Sequence, residues 1–223
     1  MANRVVSVIL DSGITYVSGI VNGNEYVFTL TADNTWSADV SVSDDNVYHL
    51  TLTAIDNLGN VSTITTTLYY GLNLITDRTQ ADVNRYLYLK SKSFADMTEE
   101  EQLEWLSDLK GAYNFTDLNR VDGAVDYIIG RLKEIGYFVD GVKTNRLWNV
   151  QYVPNQSDME QYLRNIRIIK NVFAMATSVP DSMEYFTHQE ANAIEQILLD
   201  ADYLITEISR ACVQSNEVYA GEV

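Results

Sequence analysis

The side chains that most often perform chemistry in proteins are sparse in this 223-residue chain. It contains two histidines, His49 and His188. His49 alternates with apolar residues, as on the outward face of a strand, and His188 falls in the first turn of a predicted helix. Neither has a cysteine, a second histidine or a carboxylate at the spacing of a metal site. We therefore expect both histidines to be surface residues and not ligands.

The single cysteine, Cys212, lies in the apolar stripe of the last predicted helix, where a small buried hydrophobic residue is expected. A catalytic thiol would need a histidine partner and a polar pocket, and one cysteine cannot build a multi-cysteine metal site. The sequence also lacks G-x-S-x-G, Walker and G-x-G-x-x-G patterns. We predict that the protein is not an enzyme and that it has no catalytic, cofactor-binding or metal-binding residues.

Carboxylates are abundant, but local structure explains them. Residues 99–101 are three glutamates that follow Thr98, and negative charge is favourable at the start of a helix. Asp44, Asp45 and Asp56 fall in predicted loops, where turn formation is favoured over calcium binding because the EF-hand spacing is absent. A glycosidase with paired carboxylates would need a large cleft lined by aromatic residues, which a small sandwich with a small bundle rarely provides.

The net charge and the tyrosine content of the chain indicate which kinds of partner it can bind. The chain has 15 basic and 31 acidic residues, a formal net charge of −16, and such a charge repels nucleic-acid phosphates and anionic membranes. Fifteen tyrosines favour an interaction protein, because tyrosine is enriched at protein interfaces. No apolar stretch approaches the roughly 20 residues that span a bilayer, and no early basic segment precedes an apolar one. We expect a chain that is made and folded in the cytosol.

Residues 1–71 have the pattern of short strands separated by turns. They contain one basic and seven acidic residues, and turn signals such as Asn22-Gly23 recur between alternating apolar runs. The run Tyr48-x-Leu50-x-Leu52-x-Ala54-x-Asp56-x-x-Gly59-Asn60, with Trp36 before it, resembles bacterial immunoglobulin-like domains. Six or seven strands of this kind predict an immunoglobulin-like β-sandwich.

Residues 72–223 change to helical periodicity, with a joint at residues 71–74. The predicted fold is therefore α+β and multidomain: the sandwich, then an all-α antiparallel helical bundle. Helix starts are predicted from capping boxes at Thr79, Thr98, Ser157 and Thr187. The second helix is expected to bury its leucines at positions 103, 106 and 109, with Trp105 beside them. The predicted helices span about 80–91, 99–110, 117–135, 158–176 and 188–211.

Several stretches of the helical part resemble a module that recurs in virion proteins of Firmicutes phages and prophages. The similarity covers roughly residues 74–223 and is carried by Leu74–Val83, Met97–Leu106, Lys110–Val121, Asn192–Leu198 and Glu217–Val223. In such proteins the module often follows an immunoglobulin-like domain or ends a tail, baseplate or fibre protein. It implies no activity that can be assigned to a residue here.

The resemblance implies a structural, non-enzymatic component of a phage or phage-tail-like particle, associated with the tail or baseplate. The helical part would dock on the particle and the immunoglobulin-like domain would be displayed. Expected partners are other virion proteins and copies of the chain, with neither nucleic acid nor membrane. The expected location is the virion, after synthesis in the bacterial cytoplasm. The alternatives are an adhesin that binds the host surface or its carbohydrate, and a capsid decoration or head-fibre protein.

Overall fold

The computed structural model describes residues 2–42, 46–107, 109–144 and 147–219. Over these residues the chain forms six strands and then five α-helices, with a short 3-10 turn at Phe94–Asp96. The strands are β1 (Ala2–Ile9), β2 (Ile14–Val21), β3 (Asn24–Ala32), β4 (Thr35–Val42), β5 (Asn46–Asp56) and β6 (Val61–Tyr70). The helices are α1 (Gln80–Lys90), α2 (Glu99–Leu106), α3 (Phe115–Glu134), α4 (Gln156–Val172) and α5 (His188–Tyr219).

The six strands form one antiparallel sheet in the order β1-β4-β3-β2-β5-β6. β3 changes its partner halfway along: residues 24–28 pair with β2, and residues from Thr29 onward pair with β4. The sheet therefore curves into a half-barrel. The predicted immunoglobulin-like β-sandwich is wrong, because the described strands belong to one continuous sheet and not to two packed sheets.

The concave face of the half-barrel holds the first hydrophobic core. Alternate residues along each strand point to this face, as the two-residue repeat of a strand requires. Gly19 allows Phe28 to pack there, since a β-carbon at Gly19 would lie 2.9 Å from the Phe28 ring. The buried strand residues of this core are Val6, Val8, Val17, Val21, Phe28, Trp36, Ala38, Val40, Val42, Tyr48, Leu50, Leu52, Ala54 and Tyr70.

A second core lies between α3, α4 and α5. The apolar positions along α3 from Leu118 to Leu132 are buried in it, as are Ile166 and Ile169 of α4 and Ile194 to Ile205 along α5. No residue of α1 or α2 belongs to this core. The prediction of one bundle of five helices is therefore wrong: the bundle-like arrangement is limited to the last three.

Local capping sets the helix starts. The boxes predicted at Thr79 and Thr98 are formed, and Thr187 and Glu190 exchange hydrogen bonds in the same way at the start of α5. The box predicted at Ser157 is wrong. Asn155 caps α4, because its side chain accepts a hydrogen bond from the Asp158 N–H and its own N–H donates to the Asp158 carboxylate.

The helical part covers the gap between the two edge strands of the half-barrel. Consecutive residues of α3 contact opposite edges: Asp126 forms an ion pair with Arg4 of β1 at 2.8 Å, and Tyr127 packs edge-on against Tyr70 of β6. The segment that follows α3 does the same. Leu147 is buried in the sheet core, and its N–H donates a hydrogen bond to the Ser7 carbonyl of β1. The carbonyl of the next residue, Trp148, accepts a hydrogen bond from the Thr66 hydroxyl of β6.

Candidate functional site

The structure does not gather the residues first considered for chemistry. His49 is exposed on β5 and His188 is half-buried at the start of α5. Asp44 and Asp45 lie outside the described residues, as does the side chain of Cys212. Within the described ranges, no three His, Cys, Asp or Glu side chains are close enough to hold a metal ion. Among the helices as far as they are described, none has the length and apolar character that crossing a membrane requires.

Asp56 has a local role in the turn between β5 and β6. Its carboxylate accepts hydrogen bonds from the backbone N–H groups of Leu58 and Asn60, at 2.9 and 2.8 Å, and from the Asn60 amide. These bonds, first of all the one from the Asn60 side chain, hold the pKa of the Asp56 carboxyl below its usual value. The prediction of ordinary turn formation is confirmed for this residue.

The most heavily built polar site is a buried cluster of two arginines and two carboxylates, which we call the charge quartet: Arg78, Asp117, Arg120 and Glu195. Arg78 Nη2 lies 2.8 Å from Asp117 Oδ1 and 2.7 Å from Glu195 Oε1. Arg120 Nη2 contacts the same two oxygens. No member is more than 4% exposed. The two positive and two negative formal charges cancel, which offsets part of the cost of burying them.

The charge quartet fixes the segment before α1 to the helical core. Glu195 Oε2 accepts the backbone N–H of Ile75 at 2.5 Å, and Arg78 Nη1 donates to the Ile75 carbonyl at 2.6 Å. Asn192 accepts the Arg78 N–H and donates to its carbonyl. Residues 74–83, 110–121 and 192–198 therefore meet at this cluster. Sequence reasoning missed the cluster, because its members are ordinary polar residues until the chain folds.

Aromatic side chains border the charge quartet. The ring of Tyr113 lies 5.4 Å from the guanidinium of Arg78, and its hydroxyl is 2.5 Å from that of Tyr162. Burial, with the charges of Glu195 and Asp117, raises the pKa of Tyr113. Burial lowers the pKa of Arg120, but the carboxylates of Glu195 and Asp117 outweigh this effect and raise it.

A polar cleft of about 580 Å³ lies between β1 and β4 on one side and α3 and α4 on the other. Hydroxyl groups such as that of Ser7 line the sheet wall, and Asp122 and Asp158 line the helical wall. Both carboxylates are engaged: Asp122 accepts the indole N–H of Trp148 at 2.8 Å, and Asp158 accepts the hydroxyl of Tyr152 at 2.6 Å. The cleft offers hydrogen-bonding groups to a polar ligand, with its carboxylates already held in place.

The hairpin of α1 and α2 lies outside both hydrophobic cores and packs in an unexpected way. α2 turns its polar residues toward α1: Glu101 is buried and binds Lys92 at 2.7 Å, and Glu104 binds Arg85 at 2.5 Å. Trp105 stacks on Tyr86 of α1, with ring centroids 6.1 Å apart.

The leucines of α2 are on its opposite side. Leu103 is 71% exposed and Leu106 is 73% exposed, so the prediction that they are buried is wrong. We call these two residues the α2 leucine face. Glu99 shares this side of the helix, four and seven residues before them, and Glu100 borders it; both are exposed. The surface is apolar at its centre and acidic at its rim.

No protein-family model matches the sequence, and no curated protein matches it.

Proposed function

We propose that this chain is a non-enzymatic structural component of a phage or phage-tail-like particle, associated with the tail or baseplate. The proposal begins from the resemblance of residues 74–223 to virion proteins of Firmicutes phages. The observation that carries it is the α2 leucine face, which is apolar, exposed and turned away from the rest of the chain. The hairpin would attach the chain to the particle, and the half-barrel would be displayed.

The apolar side of α2 faces solvent, and its polar side faces the rest of the chain. A helix of a monomeric protein normally turns its apolar side toward its own core. Here Glu101 and Glu104 make the intramolecular contacts, while Leu103 and Leu106 face solvent. Covering both leucines would contribute about 3–6 kcal/mol, if each contributes about 1.5–3 kcal/mol. Such an orientation is useful to a chain that works with its leucines covered by another protein.

The rim of the α2 leucine face indicates the chemistry of that protein. Glu99 and Glu100 are exposed beside the leucines, and the whole chain has a net charge of −16. A second copy would bring acidic rims together at this surface, which is unfavourable. The partner expected here is another particle protein with an apolar groove bordered by lysine or arginine.

Incorporation into particles tests the proposal. A tagged chain and its Leu103→Lys/Leu106→Lys variant would be expressed in a strain that produces the phage or prophage encoding it, and purified particles would be analysed by mass spectrometry. Leu58→Lys is the matched control, because Leu58 is 82% exposed in the β5–β6 turn. We expect the wild type and the control in the particles and the double variant to be depleted. Absence of the wild type, or equal incorporation of all three chains, would contradict the proposal.

The cleft between the sheet and the helices favours a second candidate function, recognition of host-surface carbohydrate. Its hydroxyl, amide and carboxylate groups match the donors and acceptors of a sugar, and Lys143 and Gln161 are at its helical wall. Full-length protein would be applied to a glycan array and to cell-wall material, beside Lys143→Ala. Retention that is weakened in the variant supports this function, and failure of the wild type to bind either material removes it.

A further inference from the structure

The convex side of the half-barrel carries a nearly uncharged surface on β2, β3, β5 and β6, which we call the outer sheet face. Five apolar residues point outward from it: Tyr16, Ile20, Val27, Ile55 and Val61. Four of them are 39–62% exposed. Tyr16 lies opposite Ile55, and Ile55 lies opposite Val61, so three apolar side chains form a row across three strands.

Threonines fill the two neighbouring rows. Thr53 of β5 pairs with Thr63 of β6, and Thr51 pairs with Thr65, their hydroxyl oxygens being 3.3 Å apart. Each hydroxyl can both donate and accept a hydrogen bond. Side chains of this kind on one copy can therefore satisfy the same side chains on another copy. β-branched residues also give the surface a regular shape that suits packing against a second sheet at about 10 Å.

The charge distribution favours a second copy over a different partner. Glu25 of β3 and His49 of β5 are the acidic and basic side chains described on this face, at the end where β2 joins β3. A chain of net charge −16 can approach its own copy through such a surface without placing many like charges together. A partner that recognised the chain by charge would find little to bind here.

We propose that the outer sheet face is a self-association surface, through which two copies pack sheet against sheet about a twofold axis. The contact is isologous: the apolar row of one copy lies on the partner's sheet and the threonine rows exchange hydrogen bonds. It is separate from the α2 leucine face, so a dimer keeps both leucine faces available.

The test is the oligomeric state of the full chain, measured by sedimentation velocity over about a hundredfold range of concentration, since dimerisation follows mass action. We expect a concentration-dependent dimer. Added salt should leave the dimer unchanged or favour it, because screening weakens the repulsion between two acidic chains and this contact contains few charges. A wild type that is monomeric throughout, or a dimer that salt dissociates, overturns the proposal.

Variants locate the contact. Thr53→Lys places an ammonium in the middle of the surface, between Ser18 of β2 and Thr63 of β6, and should abolish the dimer, whereas Leu103→Lys on α2 should leave it intact. Thr65→Lys is the second variant, because Thr65 is exposed and its substitution leaves the sheet core untouched. Circular dichroism identifies any variant that has not folded. A dimer that survives in the folded lysine variants, or that is lost in Leu103→Lys, contradicts the assignment of this face.

Discussion

At the scale of single residues, the charge quartet is the feature with the largest energetic consequence. A buried ion pair contributes little net stability compared with an apolar replacement, but removal of one partner leaves a buried charge without compensation. Arg78 and Arg120 both depend on Glu195, which is fully buried and also accepts the Ile75 N–H.

Glu195→Gln should therefore lower the free energy of unfolding by about 3–5 kcal/mol, the usual cost of breaking a buried pair. Urea unfolding at neutral pH measures this change. The control is Glu207→Gln, which removes a carboxylate from the same helix where it forms an exposed pair with Arg210. An effect within about 0.5 kcal/mol is expected there. Equal effects of the two substitutions would show that the charge quartet is not structurally important.

Glu101 provides a pH-dependent prediction. The hydrogen bond from Lys92, followed by that from the Thr98 N–H, lowers its pKa from 4.5 to about 2. Because the folded-state pKa is depressed, the ionised carboxylate contributes stability above pH 4.5, and this contribution is lost as the pH falls from 4.5 to about 2. Glu101→Gln should be less stable than the wild type at neutral pH, and the difference should disappear across that window.

Thermal unfolding of both proteins across the same pH range provides the measurement. Glu100→Gln is a suitable comparison, because Glu100 is exposed in the same turn of α2 and makes no side-chain contact with Lys92. Its stability should remain near that of the wild type throughout. A Glu101→Gln deficit that persists unchanged at pH 2 would exclude the ion pair as its cause.

At the scale of elements, Gly111 sets the distance between the turn after α2 and the start of α1. A β-carbon at this residue would lie 2.0 Å from the carbonyl oxygen of Asp82 and 2.7 Å from the Val83 nitrogen. These neighbours are backbone atoms and cannot rotate away. The close contact of Gly111 with α1 could not be predicted from residue spacing.

Gly111→Ala should destabilise the protein by about 1–3 kcal/mol or more, as overpacking does, because the corner must move away from α1. Gly130→Ala is the matched control. Gly130 lies within α3, and beyond its chain neighbours and the nearby backbone of its own helix nothing lies within 4 Å of the position of its β-carbon. It should raise stability by about 0.5–1 kcal/mol through helix propensity. Chemical denaturation measures the change in the free energy of unfolding for both variants. A change of the same sign in the two variants would contradict this account.

Local signals predicted elements better than they predicted contacts. The boxes at Thr79 and Thr98 form because a cap depends on residues three positions apart. The apolar pattern of α3 is also buried as expected. α2 was misjudged because periodicity shows that a helix has an apolar side but not which neighbour that side faces. The charge quartet was missed for the same reason, since Arg78 and Glu195 are 117 residues apart.

At the scale of the whole molecule, residues of the helical part such as Tyr127 and Leu147 pack against the core of the half-barrel. Alternation along the strands predicted the core side of residues such as Val40 and Leu50, and both are buried. It could not distinguish one curved sheet from two packed sheets, because both bury alternate residues. The deciding feature is the change of partner within β3, which depends on strand pairing far along the chain.

The predicted division at residues 71–74 leads to an expectation about fragments. Residues 1–71 alone lack Tyr127 and Leu147, which pack against the sheet core between β1 and β6. We expect this fragment to show no cooperative unfolding transition, whereas the full chain unfolds in a single transition. The fragment and the full chain can be compared by denaturation monitored with circular dichroism and by the dispersion of their amide NMR signals. A dispersed spectrum and a sharp transition for the fragment would establish an independent domain.

The closure of the half-barrel by Leu147 also has a consequence for synthesis. All six strands leave the ribosome before the residue that closes the gap between their edges. At about 5–20 residues per second, the interval between residue 71 and Leu147 is roughly 4–15 s. During this time the Thr- and Val-rich strand segments lack the helices that complete their fold, and strands with unpaired edges can pair between nascent chains. The scarcity of positive charge in residues 1–71, with its net excess of carboxylates, would keep neighbouring nascent chains apart until Leu147 arrives.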